Sequence, residues 1–196
     1  YEAVHAEIGK RAAIKVLHPH LAQNPEISAR FLNEARATSI IEHPGMVAVF
    51  EFGRLPDNTT YLVMEFLRGE SLRERLQKRG SLPLPEAARL CRQVAGALTA
   101  AHQSGIVHRD LKPDNVMIVP DAEAPAGERA KVLDFGIAKV VEAGSVKTQT
   151  GAMLGTPSYM APEQFNGAGQ ADAKADVYAL GVMLFELLAG RLPFLG

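Results

Sequence analysis

The stretch His108-Arg109-Asp110-Leu111-Lys112-Pro113-Asp114-Asn115 crowds two carboxylates, a carboxamide and three basic side chains into eight residues. Asp134-Phe135-Gly136 follows it, and then Ala161-Pro162-Glu163. Carboxylate and amide oxygens bind hard cations, and a carboxylate can accept or orient a proton. Far upstream, Lys15 lies in the apolar run Ala12 to Leu17, and Glu34 lies in the segment after it, among Glu26, Arg30 and Arg36. Taken singly, each acidic residue is as readily a turn former or a helix cap, Lys15 a snorkelling edge residue, and Glu34 one more solvated glutamate. In this order and together, they form a set with chemistry.

Such groups need elements to carry them. Ala12 to Leu17 reads as a strand that His18-Pro19-His20 ends. Those two histidines have no third ligand nearby and do not make a metal site. A helix is expected from Pro25 to about Ile41, started by Asn24-Pro25, with Ile27, Phe31, Ala35 and Thr38 at helical spacing. Past the His43-Pro44-Gly45 turn, strands are expected at Met46 to Gly53 and Tyr61 to Phe66, joined through Pro56-Asp57-Asn58. Beyond Gly69 the pattern turns helical. Ser71 to Lys78 is short, whereas Pro85 to Gln103 is long, sets Ala88, Cys91, Val94, Leu98 and Ala101 on one face, and is stopped by Gly105. Strands at Val116 to Val119 and Ala130 to Leu133 are expected to flank a solvated loop, Asp121 to Arg129. Ile137 to Gln170, rich in Gly, Thr, Ser and Pro, has no period, which in a compact domain marks a functional or disordered stretch. Lys174 to Leu188 is a strongly apolar helix.

Of the 196 residues 47% are hydrophobic, enough for a sizeable core, and the formal net charge is −1. A protein that coats nucleic acid or an acidic membrane carries a large basic excess, so neither is expected as a partner. One cysteine, Cys91, excludes an internal disulfide, suits a reducing compartment, and reads as a small buried core residue. Tyr1 to Lys10 holds no apolar run, and the most apolar segment, Val177 to Ala189, is short and carries Glu186, so it reads as a buried helix rather than a membrane span. The expectation is a soluble, cytoplasmic segment without membrane contact of its own, leaving open an anchor elsewhere in a longer parent.

On the HRDLKPDN run, the Asp134-Phe135-Gly136 and Ala161-Pro162-Glu163 elements and their order, the chain resembles the protein kinase family. Within it the sequence is similar to the bacterial receptor-type serine/threonine kinases, from the run Val146 to Glu163 and the style of Gly105 to Asn115. The resemblance implies an α+β, two-lobed protein kinase fold. Residues 1–66 would be a partial small β-sheet lobe with one helix, and residues 67–196 a partial, mostly helical large lobe, together one domain. It implies a non-specific serine/threonine protein kinase that moves the γ-phosphate of ATP, with Mg2+ or Mn2+, to Ser/Thr hydroxyls of proteins in signalling. A kinase–kinase dimer is admitted as a partner arrangement.

The same resemblance assigns roles. Asp110 would accept or orient the substrate hydroxyl proton, Asn115 and Asp134 would hold the metal, and Lys112 would touch the transferring phosphate. Thr156 would bond the catalytic aspartate and Lys112. Lys15 would contact the α- and β-phosphates and pair with Glu34. Ala13 and Met117 would sandwich the adenine, with Glu65 and Leu67 forming the hinge after Met64 at the gatekeeper position. Thr148 and Thr150 would be phosphorylated, and Arg109 and Lys139 would pair with that phosphate. Asp176 would anchor the backbone of the 108–115 loop, and His108, Phe135, Gly136 and Glu163 would be structural.

The resemblance starts in the second strand of the small lobe and stops just past the central helix of the large one. The glycine-rich loop and the arginine partner of Glu163 are therefore expected outside this sequence, and the segment alone is expected to be poorly stable and weakly active. Thr38 stands where the family usually has an apolar residue. Two further readings are a pseudokinase that binds nucleotide or partners without turnover, and a small-molecule phosphotransferase of kinase-like fold. Retention of Lys15, Asp110, Asn115 and Asp134 counts against the first; Lys112, Thr156 and Ala161-Pro162-Glu163 count against the second.

Overall fold

The computed structural model describes residues 1–17, 28, 31, 35, 38–57, 59–134, 157–166 and 172–194. Four strands, β1 (Glu2–Val4), β2 (Arg11–Val16), β3 (Val49–Arg54) and β4 (Thr60–Glu65), form an antiparallel sheet in the order β1-β2-β4-β3. Directly paired residues share a sheet face, so the pairs Ala13 with Met64 and Lys15 with Leu62 place all four side chains on one side. That side packs on a small core of Leu17, Phe31, Ala35 and Leu62, with Val49, Phe52 and Met64 against it. Phe31 and Ala35 are helical, as are Ser28, Thr38 and Ser39, all within the expected helix.

The second part is mostly helix. Ser71 caps α1 (Leu72–Arg79) through a reciprocal box: its hydroxyl accepts from the Glu74 N–H and the Glu74 carboxylate accepts from its N–H. α2 (Leu84–Gln103) begins on a proline turn and buries Ala87, Leu90, Cys91, Val94, Ala97, Leu98 and Ala101. Burial pushes the Cys91 thiol up to about 11, so it is an inert core residue. α3 (Ala173–Ala189) starts at the Asp172 cap and ends at Gly190, which adopts the left-handed conformation with φ 68°. The principal core joins these helices to Val116, Ile118, Ala130 and Val132 of a three-stranded sheet, β5 (Glu70–Ser71), β6 (Val116–Pro120) and β7 (Glu128–Val132), ordered β5-β6-β7.

Ala88, expected on the apolar face of α2, is exposed while Ala87 takes the buried place, and three further details depart from the sequence reading. Met46 to Ala48 do not extend β3, although Met46 bridges in parallel to Val132 of β7. β7 begins at Glu128, inside the expected 121–129 loop, whose ends are joined by the Arg129–Asp121 ion pair. β5 has only two residues and no periodicity to announce it. The β5 edge depends on Gly69, where a Cβ would lie 2.0 Å from the Ile118 carbonyl oxygen. Backbone cannot yield as a side-chain tip does, so Gly69→Ala is expected to lower unfolding stability by about 2–3 kcal/mol, read as a shifted urea midpoint.

The two parts meet through polar braces. Lys131 Nζ on β7 reaches Glu65 Oε1 at 2.5 Å and the Met46 carbonyl at 3.2 Å, and Glu65 Oε1 also accepts from the Ala48 N–H at 2.9 Å. No helix among the described residues is long and apolar enough to cross a membrane.

Candidate active site

The 108–115 loop is held from beneath by α3. Asp176, fully buried, accepts from the His108 N–H and the Arg109 N–H at 2.8 Å each, and from His102 Nε2 of α2 at 2.7 Å. A buried carboxylate needs that many donors to offset its lost hydration. Arg109 lies at φ 62°, a left-handed conformation that a non-glycine residue keeps only when its surroundings impose it.

His108 is also fully buried, with its two ring nitrogens doing opposite things. Nε2 faces the Leu133 carbonyl at 2.8 Å and must donate; Nδ1 faces the Asp110 N–H at 3.2 Å and must accept. Only the neutral ring satisfies both. Burial, set against the nearby Asp176, Asp110 and Asp134 carboxylates, holds its pKa below the ordinary 6.5. The unfolded chain therefore takes up this proton at a higher pH than the folded one, and stability falls as pH drops below about 6.5. His43, likewise lowered by burial and by Arg129, acts in the same direction. Urea denaturation between about pH 7 and pH 5.5 should show stability falling by at most about 1.4 kcal/mol per unit for each such proton; a flat profile would contradict a neutral buried His108.

Above this base the polar side chains converge. Lys112 Nζ lies 3.2 Å from Asp110 Oδ2. Asn115 Nδ2 donates to the Asp110 carbonyl at 2.8 Å and to Asp110 Oδ2 at 3.2 Å, which turns its oxygen away from Asp110. The Leu133 N–H donates to the Asn115 carbonyl at 2.9 Å and so ties the residue before Asp134 to the 108–115 loop. Asp134, at φ 51°, receives Lys15 Nζ from β2 at 2.6 Å, joining the first sheet to the loop cluster. The side chains of Lys15 and Asp134 are each about a third exposed, so this pair contributes to position more than to stability.

Met64 packs against the small core, while Ala13 and Met117, the latter on β6, are half-buried. The Glu65 side chain braces Lys131 and Ala48, and its N–H donates to the Ala48 carbonyl at 2.9 Å. A hinge role at Glu65 would therefore use neither its carboxylate nor its N–H. Leu67 follows β4 outside any element. Glu163 sits in a single-turn 3-10 helix, Pro162–Asn166, and makes no ion pair among the described residues. Glu34, Phe135, Gly136, Lys139, Thr148, Thr150 and Thr156 lie outside the described residues.

Some residues at the site were not singled out from sequence. Gln164 donates from Nε2 to the Arg109 carbonyl at 3.0 Å and accepts the Ala161 N–H at 2.9 Å. Arg73 of α1 forks to Asp114 at 3.3 Å, Glu186 at 2.7 Å and the Tyr159 hydroxyl at 2.5 Å, and Tyr159 in turn donates to Glu186. Burial would lower the Arg73 pKa, but its Glu186 and Tyr159 partners outweigh that and raise it, so the cation is permanent. One signal pointed there: a glutamate inside the apolar run of α3 requires a partner.

A two-part fold joined at a cluster of carboxylate, amide and ammonium groups is the arrangement of a protein kinase domain. The model of that family, described as the protein kinase domain, matches residues 1–196, and the chain belongs to it. The chain is 48% identical over 197 residues to serine/threonine-protein kinase Pkn1 of Myxococcus xanthus, covering 99% of this chain and 27% of that protein. It is 43% identical over 200 residues to serine/threonine-protein kinase PknA of Mycobacterium tuberculosis, covering all of this chain and 44% of that one. The chain thus spans less than half the length of these relatives. The crystal structure of the Mycobacterium tuberculosis PknI kinase domain superposes with a TM-score of 0.75 at 31% identity, covering 99% of this chain and 70% of that one.

Proposed function

We propose that residues 1–66 and 67–196 together form the core of a serine/threonine protein kinase that transfers the γ-phosphoryl group of ATP to Ser and Thr hydroxyls of proteins. The observation that carries this reading is the convergence of Asp110, Lys112, Asn115, Asp134 and Lys15, drawn from both parts of the fold, at one place. The substrate hydroxyl gives its proton to, or is oriented by, Asp110 as its oxygen bonds to the γ-phosphorus. The bond from that phosphorus to the β–γ bridging oxygen breaks, and ADP leaves with the electron pair. Lys112 sits against Asp110 and would meet the charge on the transferring group, and Lys15 would meet the α- and β-phosphates.

The donor set fits a divalent cation: the Asp134 carboxylate and the outward-turned Asn115 amide oxygen are hard ligands on adjoining strands of chain. Mg2+ or Mn2+ held there would neutralise phosphate charge. The adenine would lie between Ala13 and Met117, near Met64 and the backbone about Glu65 and Leu67, with Lys15 paired to Glu34. Thr156 would bond Asp110 and Lys112. Asp176 and His108 support the loop, while Phe135, Gly136 and Glu163 are assigned structural parts. Phosphorylation of Thr148 and Thr150, paired with Arg109 and Lys139, would regulate the enzyme. The cytoplasm is the compartment that suits these substrates and the free Cys91; an anchor or a kinase–kinase dimer would belong to the longer protein.

Incubating the full-length protein with Mg2+ and ATP and mapping the modified residues tests the reading. Phosphate on Thr148 or Thr150, abolished by a chelator, is the expected result; ATP binding with no phosphate on any Ser or Thr would point to the non-catalytic alternative.

A further inference from the structure

Building on the kinase reading, we propose that Gln164 is a positioning residue for Asp110, acting through the peptide plane that joins Arg109 to Asp110. That plane has two handles. Its N–H, on Asp110, donates to His108 Nδ1 at 3.2 Å; its carbonyl, on Arg109, accepts from Nε2 of the Gln164 side-chain amide at 3.0 Å. The plane sits directly after the φ 62° turn of Arg109, whose own N–H is pinned by Asp176. Such a conformation persists only while its neighbours hold it.

The Gln164 amide is itself locked. Its oxygen accepts the Ala161 N–H at 2.9 Å, and the Gln164 N–H donates to the Ala161 carbonyl, also at 2.9 Å. Flipping the amide would set its NH2 against an N–H and its oxygen against a carbonyl, so the donor stays aimed at Arg109. Rotating the 109–110 plane swings the Asp110 Cα–Cβ bond, and a carboxylate displaced by about 1 Å loses its alignment with a reacting hydroxyl. Through this amide, the Ala161–Gln164 turn helps fix the direction of the catalytic carboxylate, alongside the His108 and Asn115 bonds.

Two variants of the full-length protein test the assignment. Gln164→Glu keeps the acceptor for Ala161 but presents an oxygen to the Arg109 carbonyl; Gln164→Leu removes both bonds at similar volume. Each should lower kcat about tenfold, with the ATP KM and ATP Kd within about twofold of wild type. The deficit of Gln164→Glu relative to wild type should shrink as pH falls, because a protonated carboxyl donates again, whereas that of Gln164→Leu should not. A kcat within about twofold of wild type in both variants would overturn the assignment, as would a loss with no difference in pH dependence between them. A wild type that transfers no phosphate would instead sink the kinase reading. The Asp110 amide nitrogen resonance then still decides: it should shift in Gln164→Leu, and an unmoved resonance overturns the positioning role.

Discussion

The Asp110→Asn protein is expected to lose about 10²-fold or more in phosphoryl-transfer turnover while still binding ATP. Asn keeps the size of the side chain but accepts no proton and carries no charge. Asp110 Oδ2 now faces two donors, Lys112 Nζ and Asn115 Nδ2, both at 3.2 Å. The variant loses the ion pair, and if its own NH2 turns toward Asn115 it meets another donor. Backbone support for residue 110 is unaffected, because the Asp110 N–H and carbonyl bonds to His108 and Asn115 do not involve the side chain. The defect should therefore appear in kcat, with the ATP Kd changed by no more than a few-fold. Turnover equal to wild type would remove Asp110 from the chemistry.

A second large effect concerns stability. Asp176→Ala should lower the unfolding free energy by about 3–5 kcal/mol, the range for removing one partner of a buried charged cluster. The His108 and Arg109 N–H groups and His102 would all lose their acceptor, and each buried unsatisfied donor costs about 1–3 kcal/mol. Arg109 would be freed to leave its left-handed conformation, so activity should fall together with stability. Urea unfolding of wild type and variant measures the loss; a difference below about 1 kcal/mol would mean that the loop is held by something other than α3.

Where the sequence carried a strong period, its elements were legible. The expected Pro85 to Gln103 helix is observed as Leu84–Gln103, and Lys174 to Leu188 as Ala173–Ala189. Both bury a regular apolar face, and local patterning is enough to announce that. β1 and β5, at three and two residues, are too short to show alternation, and they exist because β2 and β6 offer them an edge. At the site, residue types were legible and partners were not. The expected Lys15–Glu34 pair lies outside the described residues, and the Asp134 carboxylate that Lys15 reaches, 119 positions along the chain, has no local signal to announce it. Gln164 escaped notice because an amide in a turn has no distinguishing chemistry until the Arg109 carbonyl stands 3.0 Å away. Arg73 likewise gains meaning only when α1, α3 and Tyr159 are brought together.

The most direct test offers the full-length protein ATP, Mg2+ and two acceptors side by side: a Ser/Thr-containing protein such as casein, and a small alcohol or aminoglycoside. Phosphoserine or phosphothreonine in the protein, with the small acceptor unmodified, is the result expected of a site built from Asp110, Lys112, Asn115, Asp134 and Lys15. Phosphorylation of the small acceptor alone, or no transfer to either while ATP is bound, would contradict it.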